Sequence, residues 1–311
     1  MQPVNKARLQ IHFCVLLWGF TAILGKLITL PALPLVWWRM LLVVVALLLV
    51  PKVWKGLRAL TPRLLLAYAG VGVLVSLHWL TFYGAIKLAN ASVAATCIAL
   101  GPVFLAVVEP WLARPRRKFD PRELALGIAV VPGVAMVAGG VPASMRLGIA
   151  VGVLSALLVA LFGSLNKRFV EHADPLTVTC VELGTGTVFL TLLAPLIPHV
   201  GPAFVMPGLH DTGLLLVLSF GCTLLPFALA LVALRHMSAF GTQMVTNLEP
   251  IYAIVLAMLL LGEQHELNRW FYIGVGVILL AVFAHPLLHR GDRAPAQPEL
   301  LGTAETHSVV D

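Results

Sequence analysis

A cluster of polar residues interrupts an apolar stretch late in the chain. The stretch is otherwise apolar enough for the interior of a bilayer, and it contains Gln243, Thr246, Asn247, Glu249 and Pro250. An ionisable side chain at the centre of a bilayer costs about 3 kcal/mol or more unless it faces a cavity or a partner. Pro250 also removes one backbone hydrogen bond and clashes with the carbonyl of Thr246. The cluster therefore predicts a broken membrane helix that faces protein or water instead of lipid.

Helical spacing assigns different roles to the members of this cluster. Gln243 and Asn247 are four residues apart and share a helix face, so we predict that both bind a substrate. Glu249 lies two positions beyond Asn247, about 200° around the helix. We therefore expect Glu249 to brace the broken helix or to couple it to an ion, and Pro250 to act as a hinge.

A second break of the same form lies 148 residues earlier. Shifting the chain by 148 residues places Pro102 over Pro250, although identity across the flanking stretches is low. Paired broken helices in matching positions of two halves point to a transport site. We therefore add Thr96 and Leu100 to the predicted substrate-binding residues, and we interpret Pro102 as structural.

Aromatic residues with polar tips lie deep in an apolar segment of the first half. His78 and Phe82 are four residues apart, as are Trp79 and Tyr83, so each pair shares a helix face. Such side chains offer stacking and hydrogen bonds to an aromatic or amphipathic solute. We predict that His78, Trp79 and Tyr83 bind the substrate. Tyr83 fits an interfacial aromatic belt equally well, and a lone intramembrane histidine is usually a hydrogen bonder between helices.

Two more aromatic residues are candidates for the same pocket, with helix packing as the alternative for each. Trp18 lies in the middle of the first apolar segment, about 14 Å along a helix. Phe220 has the α-helical spacing to share a face with Thr223 and Phe227. A further carboxylate, Glu182, lies about a third of the way into its segment, and we expect it to extend towards the interface.

The composition is that of a membrane protein. The chain of 311 residues is 59% hydrophobic and 11% charged, with a mean hydropathy of +0.95, whereas soluble domains carry about 25% charged residues. Its four cysteines form no C-x-x-C pair, so we expect buried thiols and no metal. The sequence contains no ATP-binding motif, and we predict no cofactor.

Ten apolar segments are long enough to span a bilayer, which takes about 20 residues. They are 9–30, 34–54, 63–86, 91–112, 120–140, 147–168, 176–198, 210–234, 239–261 and 268–288. Sixteen of the 21 lysines and arginines fall on one side of this arrangement if the N-terminus is inside. Because positive residues favour the cytoplasm, both termini should be cytoplasmic. The basic excess then needs no nucleic-acid partner.

The ten segments divide into two sets of five. An odd number of helices in each set forces the second copy into the opposite orientation. We therefore predict an all-α polytopic membrane protein of ten transmembrane helices, built as two inverted five-helix repeats over residues 9–140 and 147–288. Residues 289–311 should form a disordered cytoplasmic tail.

Several short motifs resemble those of a known family, the EamA-domain branch of the drug/metabolite transporter superfamily. The resemblance covers residues 9–288 and rests on Trp18-Gly19, Lys26, Arg39, Leu248-Glu249-Pro250 and Gly262-Glu263. The first half departs from the pattern, since Gly101 stands where the family often has glutamate. The aromatic-rich first half is similar to bacterial aromatic amino-acid exporters. The resemblance implies a central cavity that opens alternately to each side, in a bacterial inner (plasma) membrane.

A transporter is the function that these features predict. We expect secondary transport of small amphipathic metabolites, including aromatic amino acids, out of the cytoplasm, with His78 and Glu249 as candidates for proton coupling. The expected partners are a small solute and the lipid bilayer, and a monomer is plausible. The alternatives are uptake, an intramembrane enzyme, and a scaffold or receptor that transports nothing. No H-E-x-x-H or G-x-S-x-G motif supports the enzyme.

Overall fold

The computed structural model describes residues 3–113, 121–196, 204–246 and 248–288. Within these ranges the chain forms helices and contains no strand, which confirms the predicted all-α class. The α-helices are α1 (Pro3–Leu27), α2 (Ala32–Leu48), α3 (Pro51–Ala59), α4 (Pro62–Leu88), α5 (Ala91–Ile98), α6 (Gly101–Leu112), α7 (Pro121–Gly139), α8 (Arg146–Phe169), α9 (Pro175–Leu193), α10 (Leu209–Leu216), α11 (Leu225–Leu234), α12 (Ala239–Thr246), α13 (Glu249–Leu261) and α14 (Arg269–Leu288). A π-helical segment, Val217–Leu224, joins α10 to α11.

Each of the ten predicted apolar segments contains one, two or three consecutive helical elements. Six helical stretches in the described ranges are long and apolar enough to cross a membrane, and a seventh qualifies if one bent pair counts as a single span. The six are Val4–Leu27, Pro62–Leu88, Ala91–Leu112, Ala143–Phe169, Pro175–Leu196 and Leu209–Leu234. The predicted tail, 289–311, lies outside the described residues.

The bent pair corrects the extent of the second predicted segment. One continuous helix over 34–54 is wrong, because α2 and α3 meet at an angle of 93°. Pro51 begins the new helix, where its missing N–H has no cost. In α3, Val53 is buried while Lys52 and Lys55 are exposed. This basic, amphipathic helix is thus unlike the apolar α2 from which it turns away.

The two predicted helix breaks have the same form. The first separates α5 from α6 and the second separates α12 from α13, each by two residues. Pro102 and Pro250 lie at the second position of α6 and α13, where proline is tolerated. Backbone hydrogen bonds shorten to a three-residue spacing at both breaks, as from Leu100 N to Cys97 O and from Leu248 N to Val245 O. The predicted interruption is therefore confirmed at both places.

Glycines allow close approach where the helices pack most tightly. A Cβ atom on Gly72 of α4 would lie 2.2 Å from the backbone oxygen of Glu182 in α9. Gly133 of α7 and Gly274 of α14 face each other in a similar way, because a Cβ on Gly274 would lie 2.4 Å from the Gly133 oxygen. These contacts hold the backbones too close for any larger residue.

Basic side chains at both ends of the bundle bind the last carbonyls of neighbouring helices. Lys87, in the last turn of α4, donates to Ile28 O just beyond α1, at 2.5 Å. Arg235, directly after α11, donates to Val170 O just beyond α8 and to Ala173 O, at 3.3 and 2.8 Å. A positive group at a helix C-terminus satisfies free carbonyls and complements the helix dipole.

Candidate functional site

A central cavity of about 130 Å³ lies among the helices. Side chains from α1, α2, α4, α5, α6, α8, α11, α12 and α13 line it. Its wall combines aromatic, aliphatic and polar residues: Trp18, Thr21, Arg39, His78, Trp79, Phe82, Ile98, Leu105, Val159, Phe162, Gly163, Asn166, Phe227, Ala230, Leu231, Leu234, Thr242, Thr246 and Glu249. Both broken helix pairs reach this cavity, the first through Ile98 and Leu105.

Arg39 brings a fixed positive charge to the cavity wall. It lies about 10 Å along α2, and only 3% of its surface is exposed. Its Nε donates to Thr223 Oγ1 at 2.5 Å and its Nη1 to Tyr83 Oη at 2.7 Å. Its Cζ atom lies 3.9 Å from the centroid of the Trp79 ring, which is cation–π geometry. Three side chains from two other segments therefore hold the guanidinium in place.

Glu249 brings a carboxyl group to the same cavity. It is the first residue of α13, where a negative group complements the helix dipole. Its carboxylate is buried and lies within electrostatic reach of Arg39. Among the described residues it accepts no hydrogen bond and forms no direct ion pair. The cavity thus holds a guanidinium and a carboxyl group that do not contact each other directly.

Aromatic rings of α4 form the wall beside Arg39. His78 Nδ1 lies 3.0 Å from Ser155 O and 2.8 Å from Ser155 Oγ, so the ring is tied to α8. The same ring stacks 6.2 Å from Phe82 and lies 5.3 Å from Phe162. His78 therefore both lines the cavity and joins two helices, so the two roles considered for it are compatible.

The structure brings some of the predicted substrate-binding residues to the cavity and leaves others behind the wall. Trp18, His78 and Trp79 line it. Tyr83 is fully buried behind the wall, where it accepts a hydrogen bond from Arg39. Thr96 and Leu100 are buried around the first helix break, with Thr96 Oγ1 donating to Ser92 O.

Phe220 is placed outside the cavity. Its side chain is 37% exposed, whereas Phe227 lines the cavity and Thr223 accepts a hydrogen bond from Arg39. The predicted common face of these three residues is wrong because Val217–Leu224 is π-helical, so the α-helical spacing does not apply. Thr223 Oγ1 accordingly donates to Leu218 O, five residues back.

The two strongest sequence candidates cannot be placed. Gln243 belongs to α12, but its side chain lies outside the described part of the structure, and so does the whole of Asn247. Their neighbours Thr242 and Thr246 line the cavity. Both residues stay predictions.

Sequence reasoning did not place Arg39 or Asn166 in the cavity, although both line its wall. Arg39 is buried in the middle of α2, and Asn166 lies near the end of α8. An isolated arginine in an apolar run is itself a signal of function, and that signal could have identified Arg39.

The described ranges contain no cluster of metal-ligating side chains. No group of three or more His, Cys, Asp or Glu side chains there could hold an ion. All four cysteines are buried and unpaired, which confirms the prediction of buried thiols.

Comparison with known proteins identifies relatives across most of the chain. Residues 6–139 and 146–284 each match the EamA-like transporter family. An uncharacterized transporter of Clostridium kluyveri is 24% identical over 223 residues, which cover 70% of this chain and 69% of that protein. A solved crystal structure has a TM-score of 0.64 at 17% identity and covers 91% of this chain and 98% of its own. This last likeness concerns the fold alone.

Proposed function

Because this chain belongs to the EamA-like transporter family, we propose that it is a secondary transporter of small amphipathic solutes. The proposed solutes are amino acids, including aromatic ones. The solute binds in the central cavity, which opens alternately to the two sides of the membrane. Export from the cytoplasm is the proposed direction. One observation carries the choice of substrate: the cavity holds a buried cation and a buried carboxylate that do not pair directly.

Arg39 is the proposed partner of the substrate carboxylate. A guanidinium has five N–H donors in a planar fork that matches a carboxylate. Thr223 and Tyr83 use only two of them, so others are available to a ligand. Because stacking on Trp79 fixes the guanidinium plane, little conformational freedom is lost on binding.

Glu249 and the aromatic wall complete the proposed recognition of an amino acid. The carboxylate of Glu249 binds the substrate ammonium group, while Trp18, Trp79 and Phe82 pack against its side chain. Gln243 and Asn247 are proposed to add hydrogen bonds from α12 and the second break. A zwitterion would in this way satisfy both buried charges at once, which a solute of single charge cannot do.

The volume of the cavity favours a small solute. An engineered cavity of about 150 Å³ in another protein binds benzene. At about 130 Å³ the present cavity has room for a small solute.

We also propose the ten-helix arrangement with two inverted repeats. The bounds of α5 and α12 differ by 148 residues at both ends, and so do the first residues of α6 and α13. Lys87 and Arg235 differ by the same 148 residues, and each caps a neighbouring helix. These matches support a doubled unit. The site forms within one chain, which is compatible with a monomer. The proposed location is a bacterial inner membrane, with both termini cytoplasmic.

Counterflow of labelled L-phenylalanine in proteoliposomes tests the proposal. Unlabelled L-tryptophan should compete, whereas 2-phenylethylamine and 3-phenylpropionate, which each lack one of the two charges, should compete poorly. Arg39→Gln should reduce flux about tenfold or more, because a hydrogen bond to a charged group contributes about 1.5–3 kcal/mol. Arg58→Gln, at an exposed arginine of α3, is the matched control.

The outcomes separate the alternatives. Absence of flux for a broad panel of amino acids would show that the proposed function is wrong. Chemical conversion of a solute during the assay would point to an intramembrane enzyme. Stronger competition by phenylethylamine than by tryptophan would contradict recognition of the carboxylate by Arg39.

A further inference from the structure

A second buried carboxylate, Glu182, lies beside the cavity but not in its wall. It belongs to α9, and none of its surface is exposed. The expectation that it extends towards the interface is therefore wrong. The close approach of Gly72 to its backbone fixes α9 against α4 at this point. The side chain is thus enclosed between helices.

Glu182 has one polar partner, and the pair is incompletely hydrogen bonded. Asn166 Nδ2 donates to Glu182 Oε2 at 3.4 Å. Glu182 Oε1 and Asn166 Oδ1 are both buried and have no hydrogen-bond partner. Both of these atoms are acceptors, and a buried unsatisfied acceptor costs about 1–3 kcal/mol, or more if it is charged. What the pair lacks is one hydrogen on the carboxyl group.

Within the described part of the chain, no charged group forms an ion pair with Glu182 or Asn166. On α4, Tyr68 donates its hydroxyl proton to Phe169 O at 2.8 Å. Arg235, after α11, is occupied by Val170 O and Ala173 O. Lys52 of α3 pairs with Asp174 at 2.6 Å. Near Gly186 and Gly184 of α9, the neighbouring side chains of α2 are the apolar Met40 and Val44.

We propose that Glu182 and Asn166 form a proton-binding site that couples a proton to solute transport. This inference rests on the proposed function and names the ion that drives it. A hydronium ion that reaches the cavity transfers its proton to the Glu182 carboxylate, which leaves water and gives a neutral carboxylic acid. The proton on Glu182 Oε1 then makes this oxygen a donor to Asn166 Oδ1, so both previously unsatisfied atoms have a partner. An isolated charge would otherwise be buried at high cost.

Asn166 connects the proton site to the solute site. Its side chain lines the cavity and also donates to Glu182. The enclosed arrangement of α4, α8 and α9 is stable with the acid form, whereas the carboxylate requires water or a cation. Release of the proton therefore favours an arrangement in which water reaches Glu182. Protonation in this way biases one of two arrangements of the bundle.

Infrared spectroscopy of the full-length protein in lipid tests the protonation state without any solute. The wild type at neutral pH should show a carbonyl stretch of a protonated carboxylic acid that Glu182→Gln lacks. Glu171→Gln, at an exposed carboxylate, should retain it. Asn166→Ala should retain the band at a higher frequency, because the acid carbonyl loses its hydrogen bond. An identical band in the wild type and Glu182→Gln would overturn the proposal. So would an unshifted band in Asn166→Ala, which serves if Glu182→Gln does not fold.

A transport measurement tests the coupling. A proton gradient should drive accumulation of labelled L-phenylalanine by wild-type proteoliposomes. Glu182→Gln should lose this accumulation and keep counterflow, since Gln resembles the protonated acid. Accumulation by Glu182→Gln equal to the wild type, or driven by a sodium gradient instead, would refute the coupling. If the wild type moves no amino acid, the proposed function fails, while the infrared band still decides the proton site.

Discussion

At the scale of single residues, Trp79 is the cavity-lining aromatic residue against which the Arg39 guanidinium stacks. Arg39 Cζ lies 3.9 Å from the centroid of the Trp79 ring, and Phe227 packs edge-on against the same ring with the two centroids 6.1 Å apart. A desolvated cation–π contact contributes about 2 kcal/mol. Trp79→Ala should therefore lower the affinity for L-phenylalanine about thirtyfold, measured as the KM of counterflow.

The matched control for Trp79 is Trp111→Ala. Trp111 is 70% exposed on the outer surface of α6, so its loss should leave KM unchanged. Trp79→Ala should also reduce the preference for L-phenylalanine over L-leucine. An unchanged preference would remove α4 from the solute site.

A neutral substitution of Glu249 tests its proposed role separately from that of Arg39. Glu249→Gln removes the carboxylate that is proposed to bind the substrate ammonium group. The affinity for L-phenylalanine should fall about tenfold, because a charge-assisted hydrogen bond contributes about 1.5–3 kcal/mol. Competition by 3-phenylpropionate should rise, since Arg39 then has no opposing carboxylate. Counterflow competition measures both. Equal competition curves in the wild type and Glu249→Gln would exclude Glu249 from the site.

Helices and their breaks were predictable where the cause is local. Proline and intramembrane polar residues identified both broken pairs, and the 148-residue shift aligned them. The 93° turn before α3 was missed because the second predicted segment was extended past Pro51 to residue 54. The π-helical segment was also missed, and within it Thr223 accepts a hydrogen bond from Arg39 of another helix. Burial of Glu182 likewise depends on tertiary packing, which no pattern within α9 reveals.

The contact between α4 and α9 allows a test at the level of elements. Gly72→Ala should destabilise the protein by about 1–3 kcal/mol, because the new methyl group would overlap the Glu182 backbone. Gly70→Ala changes a residue two positions away in α4, where an added Cβ meets no atom within 4 Å. This control should be neutral or slightly stabilising, since alanine favours a helix. Thermal unfolding followed by size-exclusion chromatography compares the two. Equal melting curves would show that the helices do not pack this closely.

At the scale of the whole molecule, contacts at one end of the bundle join the first half of the chain to the second. Glu263 accepts hydrogen bonds from Ala91 N, Ser92 N and Ser92 Oγ at 3.0, 3.0 and 2.6 Å. It therefore caps the N-terminus of α5 from beyond the end of α13. Asp211 accepts hydrogen bonds in the same manner from the backbone N–H and the hydroxyl of Thr29. If transport occurs by alternating access, these contacts must break when this end opens.

Weakening the Glu263 contact should shift the protein towards the conformation open at this end. Glu263→Gln loses charge-assisted hydrogen bonds that contribute about 1.5–3 kcal/mol each, so the open population should rise about tenfold or more. Cys97 of α5 is fully buried and reports the change. A variant keeping Cys97 as its only cysteine should react faster with a membrane-impermeant maleimide when Glu263 is replaced. Glu266→Gln, which loses a single 3.2 Å bond from Asn90 at an exposed carboxylate, should have a smaller effect. Equal labelling rates in the two variants would mean that Glu263 caps a helix without controlling access to the cavity.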